Sequence, residues 1–232
     1  MFDGLFHQGV IVCESDSDCR FYGAMMNAVA GEERSPDLHL VHGGGKARVP
    51  AIVRALHAIN VPVRAVFDFD VLSEETALKG TIEALGGNWS EFDRDWRTVK
   101  TAIESKRPAL QTSEVRERIN IVLEAVKQET LPAQSAKEIR DILRSASAWS
   151  EAKKNGKSFV PRGQQTVAYE RLAENLRHLG IYLVEVGELE GFCPSIGNHG
   201  PAWTVSVLEG DLANDAELTL ARSFARSLLS GW

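Results

Sequence analysis

The chain has 232 residues, of which 44% are hydrophobic and 25% are charged, and its formal net charge is -6. This composition is typical of a globular protein with one large domain, or with a core domain that carries an insertion. The negative charge argues against a protein that coats nucleic acid non-specifically, but not against an enzyme that acts on it. No apolar run reaches the ~20 residues that cross a membrane, and the start lacks the pattern of a signal peptide.

The three cysteines, Cys13, Cys19 and Cys193, cannot all pair with one another and show no CxxC spacing. We therefore expect reduced thiols, no structural zinc and a cytoplasmic protein.

Strands and helices alternate over the first 70 residues. Residues 9–14 (GVIVCE), 38–42 (LHLVH) and 61–70 (VPVRAVFDFD) are apolar, β-branched runs that predict buried strands. Residues 15–31 and 49–60 between them have apolar side chains at helical spacing, and Pro50 suits a first helical turn. The order β-α-β-α-β predicts a parallel sheet covered by helices.

The pattern then becomes helical. Residues 113–131 and 135–149 have helical periodicity, and no strand is evident from 74 to about 150. A helix over residues 165–180 leads into a fourth strand over residues 181–186, and an amphipathic helix over residues 217–229 closes the chain. We divide the chain into a first core part (1–88), a helical insertion (89–150) and a second core part (151–232).

Acidic residues lie at the ends of three of the predicted strands: Glu14, then Asp68 with Asp70, then Glu188 with Glu190. The carboxyl ends of parallel strands meet at one edge of a sheet, so these side chains should lie close together. Oxygen ligands without histidine or cysteine select hard cations such as Mg²⁺ or Mn²⁺. The competing interpretation is that the acids are solvated turn residues.

The motif Glu14-Ser15-Asp16-Ser17-Asp18 after the first strand, with Asp68-Phe69-Asp70 after the third, resembles the Toprim fold of topoisomerases, bacterial primases and some nucleases. Ser15 departs from the family, which usually has glycine there. The stretches HLVHGGGKARVPAIVRALHAINVPVRAVFDFDVL and VGELEGF are similar to the nuclease half of OLD-family proteins (overcoming lysogenization defect). In that family an ABC-type ATPase domain precedes the Toprim domain.

The resemblance implies an α/β, Rossmann-like parallel sheet with helices on both faces and a helical insertion. It also implies an endodeoxyribonuclease that uses two Mg²⁺ or Mn²⁺ ions. Its partners would be DNA, an ATPase domain that alone binds ATP, and a second copy in a homodimer. The implied metal ligands are Glu14, Asp18, Asp68, Asp70, Glu188 and Glu190. The insertion is a further source of an acid, Glu114 or Glu117.

The family also has a lysine shortly upstream of the last strand. The stretch KKNGK offers Lys153, Lys154 and Lys157, and we take Lys154 and Lys157 as candidates beside the catalytic acids Glu14, Asp68 and Asp70.

The glycine turn after the second strand has two interpretations. It is a candidate contact for DNA phosphate through Gly44, Gly45, Lys46 and Arg48, because backbone N–H groups and a lysine bind anions. It lacks the GxxxxGK[ST] pattern of a Walker A loop, so it is equally well explained as a tight turn between strand and helix.

Two alternative functions remain open. VFDFDVL resembles the strand-end motif of haloacid-dehalogenase-like phosphatases, although that motif normally opens the domain and here follows two β-α units. A non-catalytic Toprim nucleic-acid module, or one that serves a topoisomerase, is the second. The latter needs a nucleophilic tyrosine, and Tyr22, Tyr169 and Tyr182 lie in no motif for it.

Overall fold

A computed structural model describes residues 7–30, 36–106, 112–145 and 148–232. Its centre is a four-stranded sheet in the order β2-β1-β3-β4, in which every neighbouring pair is parallel. The strands are β1 (Gly9–Cys13), β2 (Leu38–His42), β3 (Val63–Phe67) and β4 (Ile181–Leu183). The α/β fold with a parallel sheet is therefore confirmed.

Ten α-helices surround or extend from the sheet in the described part of the chain. They are α1 (Asp16–Ala30), α2 (Val49–His57), α3 (Glu75–Ala84), α4 (Asp93–Glu104), α5 (Thr112–Glu124), α6 (Ala133–Ser145), α7 (Ala148–Asn155), α8 (Gln164–His178), α9 (Pro201–Leu208) and α10 (Thr219–Leu229). None of these helices is both long and apolar enough to cross a membrane.

Each face of the sheet has its own hydrophobic core, because successive strand residues point to opposite sides. In β1, Val10 and Val12 pack with α2, α3, α4 and α8, whereas Ile11 and Cys13 pack with α1, α9 and α10. These four side chains have no exposed surface. Burial of a large apolar side chain stabilises the fold by about 1.5–3 kcal/mol, so both layers hold the strand ends firmly in register.

The fourth strand is shorter than predicted, ending at Leu183 instead of residue 186. The amide of Val184 still donates to the Phe67 carbonyl at 2.9 Å, but the amide of Gly187 then turns back to the Val184 carbonyl at 2.9 Å. The Glu185 carbonyl accepts from the Lys157 amide at 2.9 Å, which draws the chain away from β3. This turn aims Glu188 and Glu190 back over the end of the sheet.

Helix α4 lies within the expected insertion, yet it packs into the sheet core. Its residues Trp96, Val99 and Ile103 are buried, and the Trp96 indole N–H donates to the Leu72 carbonyl at 2.9 Å. Helices α5 and α6 instead pack on each other and carry exposed apolar side chains, including Ile121 and Leu143. The division of the chain at residues 88 and 150 stays a prediction.

Candidate metal centre

Three carboxylates converge at the carboxyl edge of the sheet. Glu14 directly follows β1 and Asp68 directly follows β3, so the parallel pairing of these strands brings them side by side. One oxygen of each of Glu14, Asp68 and Asp70 lies within 4.8 Å of the others. The backbone N–H of Asp68 donates to Glu14 Oε1 at 3.1 Å. All three side chains are half-buried, so their charges are only partly solvated.

Lys153, at the end of α7, provides a positive charge to this group. Its Nζ lies 2.9 Å from Asp68 Oδ2 and 3.9 Å from Glu188 Oε2. Lys154 is exposed, and Lys157 Nζ lies 2.5 Å from Glu185 Oε2, away from the strand-end acids. Of the three lysines that the sequence offers, the structure thus brings Lys153 to the carboxylates and not the two that we favoured.

Two glycines set the position of Lys153. Gly156 has φ +56° and Gly187 has φ +112°, conformations that residues with a side chain rarely adopt. A Cβ on Gly156 would overlap the Glu185 carbonyl oxygen and lie 2.6 Å from the Gly187 nitrogen. A Cβ on Gly187 would overlap the Lys153 carbonyl oxygen. The end of α7 and the loop after β4 can therefore touch only because both positions are glycine.

Lys46 is the second cation of the centre. Its Nζ lies 2.7 Å from Asp70 Oδ2 and 3.1 Å from Glu74 Oε1. Lys46 thus holds Asp70 in this structure, and its contact with DNA phosphate stays a prediction. The other oxygen, Asp70 Oδ1, is buried without a hydrogen-bond partner. A buried acceptor without a partner is costly, and a bound cation would satisfy it.

In the rest of the glycine turn, some residues make backbone hydrogen bonds within the protein and others are exposed to solvent. The Gly45 amide donates to the Glu14 carbonyl at 2.8 Å, and the Gly43 amide donates to the Cys13 carbonyl at 3.0 Å. The Gly45 N–H is therefore already used. Gly44 and Arg48 are exposed, and their contact with DNA phosphate stays a prediction.

Asp18 lies outside the group of Glu14, Asp68 and Asp70 and caps helix α1. Its Oδ2 accepts the Ser15 amide at 2.8 Å, while the Ser15 hydroxyl accepts the Asp18 amide at 3.3 Å. This reciprocal pair satisfies two backbone donors at the helix start. Asp16, the first residue of α1, is exposed.

The loop after β4 holds a second group, composed of Glu188, Glu190 and His199, whose ligand atoms lie within 4.8 Å of one another. The sequence gives no signal that His199 would meet the two acids. For the acid expected from the insertion, the side chain of Glu114 lies outside the described residues. Glu117 is exposed on α5 and belongs to neither group.

The carboxylates of the first group, Glu14, Asp68 and Asp70, repel one another when no cation is bound. Burial, together with the charges of Asp68 and Asp70, raises the pKa of Glu14 to about 8. Burial also raises the pKa of Asp68 to about 7, although Lys153 counteracts part of the effect. Lys153 is itself desolvated, yet the charges of Asp68 and Asp70 outweigh this and raise its pKa. Clustered, desolvated carboxylates that resist ionisation fit a site for a divalent cation.

The ligand atoms of Glu14, Asp68 and Asp70 also suit a divalent cation. The three converging residues offer only carboxylate oxygens, the ligands preferred by Mg²⁺ and Mn²⁺. Residues 5–70 match the family model for the Toprim domain of proteins like the overcoming lysogenization defect protein. Over these residues the chain is similar to an OLD-like Toprim domain. The matched range of the Toprim domain includes Glu14, Asp68 and Asp70, and ends before Lys153 and Glu188.

The match confirms the family resemblance inferred from the two acidic motifs. No curated protein and no solved structure matches the chain. A Toprim domain is a metal-binding module of proteins that act on nucleic acids, and the acidic group that such a module needs is present here.

Proposed function

We propose that the chain is a metal-dependent DNA endonuclease or nickase, the nuclease portion of an OLD-type ATP-dependent nuclease. The observation that carries this proposal is the convergence of Glu14, Asp68 and Asp70 at one edge of the sheet, beside Lys153. Three partly desolvated acids next to a half-buried cation are unnecessary in a scaffold protein, and they cost stability. They are the residues that phosphodiester hydrolysis with divalent metals requires.

Glu14, Asp68 and Asp70 would hold one Mg²⁺ or Mn²⁺ ion, and Asp70 Oδ1 is the acceptor left without a protein donor. Glu188 and Glu190 would contribute to a second site. When bound, divalent ions supply an activated water and charge neutralisation at phosphorus. The protein keeps the ligands in place through the Asp68 amide on Glu14 and the Lys46 ammonium on Asp70.

Lys153 would bind the scissile phosphate. Its ammonium lies between Asp68 and Glu188 and its side chain is 35% exposed, so it can contact a phosphate oxygen while retaining its carboxylate partner. A fixed cation at this point offsets the charge that develops on the phosphate during hydrolysis.

Glu14 would store and release a proton. With its pKa raised to about 8, it carries a proton on a carboxylate oxygen near neutral pH in the metal-free protein. Metal binding requires the ionised form, so the proton leaves as the cation enters.

DNA would approach over the exposed Arg48 and Gly44 beside the metal centre. An ABC-type ATPase domain, in the same or another polypeptide, would couple ATP to cleavage. A homodimer would place two centres on two DNA strands.

The test is cleavage of supercoiled plasmid by the purified chain with Mg²⁺, Mn²⁺, Ca²⁺ or EDTA. Glu14→Gln and Asp68→Asn preserve shape and remove a metal ligand, whereas Glu83→Gln changes an exposed acid of α3 and serves as the matched control. Metal-dependent nicked or linear product that disappears in both site variants, and persists in the control, is expected.

Cleavage that survives EDTA or both site variants would contradict the proposal. Turnover of a small phosphomonoester without any DNA cleavage would favour the phosphatase instead.

A further inference from the structure

A second group of metal-ligating side chains lies in the loop after β4. Glu188 and Glu190 flank Leu189, whose side chain is buried in the core and anchors the loop. One atom each of Glu188, Glu190 and His199 lies within 4.8 Å of the others. This group shares no residue with Glu14, Asp68 and Asp70, and it differs from them by containing an imidazole.

The start of α9 holds this group together. The Gly200 amide donates to Glu190 Oε1 at 2.7 Å, which fixes the carboxylate next to the residue that precedes Gly200, His199. His199 Nδ1 lies 3.8 Å from Glu190 Oε1. That separation is too long for a hydrogen bond. Two atoms that each lie about 2.1 Å from the same ion can be up to about 4.2 Å apart, so this separation allows both atoms to bind one ion.

The local charges favour a cation at this point. Lys153 Nζ is 3.9 Å from Glu188 Oε2, compared with 2.9 Å from Asp68 Oδ2, so its ammonium serves mainly the first group. Among the described residues, Glu188 and Glu190 therefore have only this more distant ammonium and an exposed histidine as nearby cations. A simple His199–Glu190 ion pair would leave Glu188 with only the Lys153 ammonium at 3.9 Å, which it shares with Asp68.

We infer that Glu188, Glu190 and His199 form a mixed oxygen–nitrogen site that takes a first-row transition-metal ion such as Mn²⁺ in preference to Mg²⁺. The inference rests on the proposed function and deepens it, because it assigns different cations to the two groups. The all-oxygen group of Glu14, Asp68 and Asp70 suits Mg²⁺, a hard cation with carboxylate and water ligands. An imidazole nitrogen adds affinity for transition metals that Mg²⁺ does not share. His199 is the residue that sets this selectivity.

Mn²⁺ is the probe for the test, since its electron spin reports a directly bound nitrogen. The full chain is freed of metal with a chelator and titrated with Mn²⁺, and bound Mn²⁺ is examined by pulsed electron paramagnetic resonance for coupling to ¹⁴N. We expect one Mn²⁺ ion with ¹⁴N coupling and one without it in the parent protein. Excess Mg²⁺ should displace the uncoupled Mn²⁺ and leave the coupled Mn²⁺ in place.

The variant His199→Ala should lose the ¹⁴N coupling and weaken Mn²⁺ binding at that site by about tenfold or more, with little change in Mg²⁺ affinity. The side chain of His199 is 77% exposed, so its removal leaves the fold intact. His178→Ala is the matched control, because His178 is an exposed histidine at the end of α8, where the chain enters β4 from the opposite edge of the sheet.

Absence of ¹⁴N coupling in the parent protein, or its persistence in His199→Ala, would overturn the inference. Equal displacement of both ions by Mg²⁺ would overturn it as well. Glu14→Gln separates this failure from failure of the proposed function. If Glu14→Gln abolishes one Mn²⁺ site and plasmid cleavage while His199→Ala changes neither binding nor coupling, the nuclease stands and the mixed site does not.

Discussion

The Nζ atom of Lys153 lies 2.9 Å from Asp68 Oδ2 and 3.9 Å from Glu188 Oε2, so one ammonium group connects the loops that follow β3 and β4. The neighbouring Lys154 projects into solvent. This difference between adjacent lysines arises because α7 turns only one of them towards the sheet edge.

Replacement of Lys153 should therefore separate the two lysines functionally. We expect Lys153→Met to reduce plasmid cleavage by about a hundredfold, the typical cost of losing one fixed group that stabilises developing charge. Lys154→Met, with the same change in charge, should cleave at the parental rate. Rates of nicking at saturating Mg²⁺ check this, and similar losses in both variants would assign the role to bulk charge instead.

The stability of the metal-free protein should fall as pH rises. The folded-state pKa values of Glu14 and Asp68 are raised to about 8 and about 7, from 4.5 and 3.8. The folded protein therefore binds these protons more tightly than the unfolded chain. Their contribution to the free energy of unfolding is complete below about pH 4 and is lost as pH rises through 7 and 8.

Thermal unfolding in EDTA between about pH 5 and pH 9 measures this effect. Glu14→Gln should flatten the decline, and saturating Mg²⁺ should raise the unfolding temperature most at high pH, where no proton must be displaced. An unfolding temperature of the Glu14→Gln protein that declines as steeply as that of the parent would contradict the electrostatic explanation.

Gly156 should be essential for the fold around Lys153. Alanine there would combine a left-handed backbone, φ +56°, with overlap of the Glu185 carbonyl. We expect Gly156→Ala to lower the free energy of unfolding by about 2 kcal/mol or more. Gly197→Ala is the control, since a Cβ there meets nothing within 4 Å. Urea unfolding should leave the control within about 0.5 kcal/mol of the parent, and an equally small change in Gly156→Ala would refute the packing argument.

Arg48 and Lys46 should affect the binding of different ligands, DNA and Mg²⁺ respectively, although they lie two residues apart. Arg48 is exposed, so Arg48→Ala should weaken DNA binding and reduce the salt slope by about one counterion. Lys46 holds Asp70, so Lys46→Met should instead lower the affinity for Mg²⁺, because Asp70 loses the ammonium that keeps it in place. DNA binding measured in Ca²⁺ over a range of salt, and calorimetric titration with Mg²⁺, distinguish the two. An unchanged salt slope in Arg48→Ala would exclude the phosphate contact.

The sequence by itself determined the sheet and the acids at its edge. Apolar β-branched runs and helical periodicity are local signals, and they predicted β1, β2 and β3 to within a few residues at each end. Parallel pairing then requires Glu14 and Asp68 to meet, because the strands that carry them are neighbours. The short helix α9 was not predicted, since eight apolar and small residues show almost no amphipathic pattern.

Only the tertiary structure decided which cations and which histidine join the acids. The choice of Lys153 over Lys154 and Lys157 depends on the close approach of Gly156 to Gly187, a contact between segments that have no local pattern in common. The pairing of Lys46 with Asp70 likewise joins residues from separate loops, and the approach of His199 to Glu190 depends on how the loop after β4 folds back on itself. Periodicity reports the environment along one element, whereas such contacts depend on how loops pack in three dimensions.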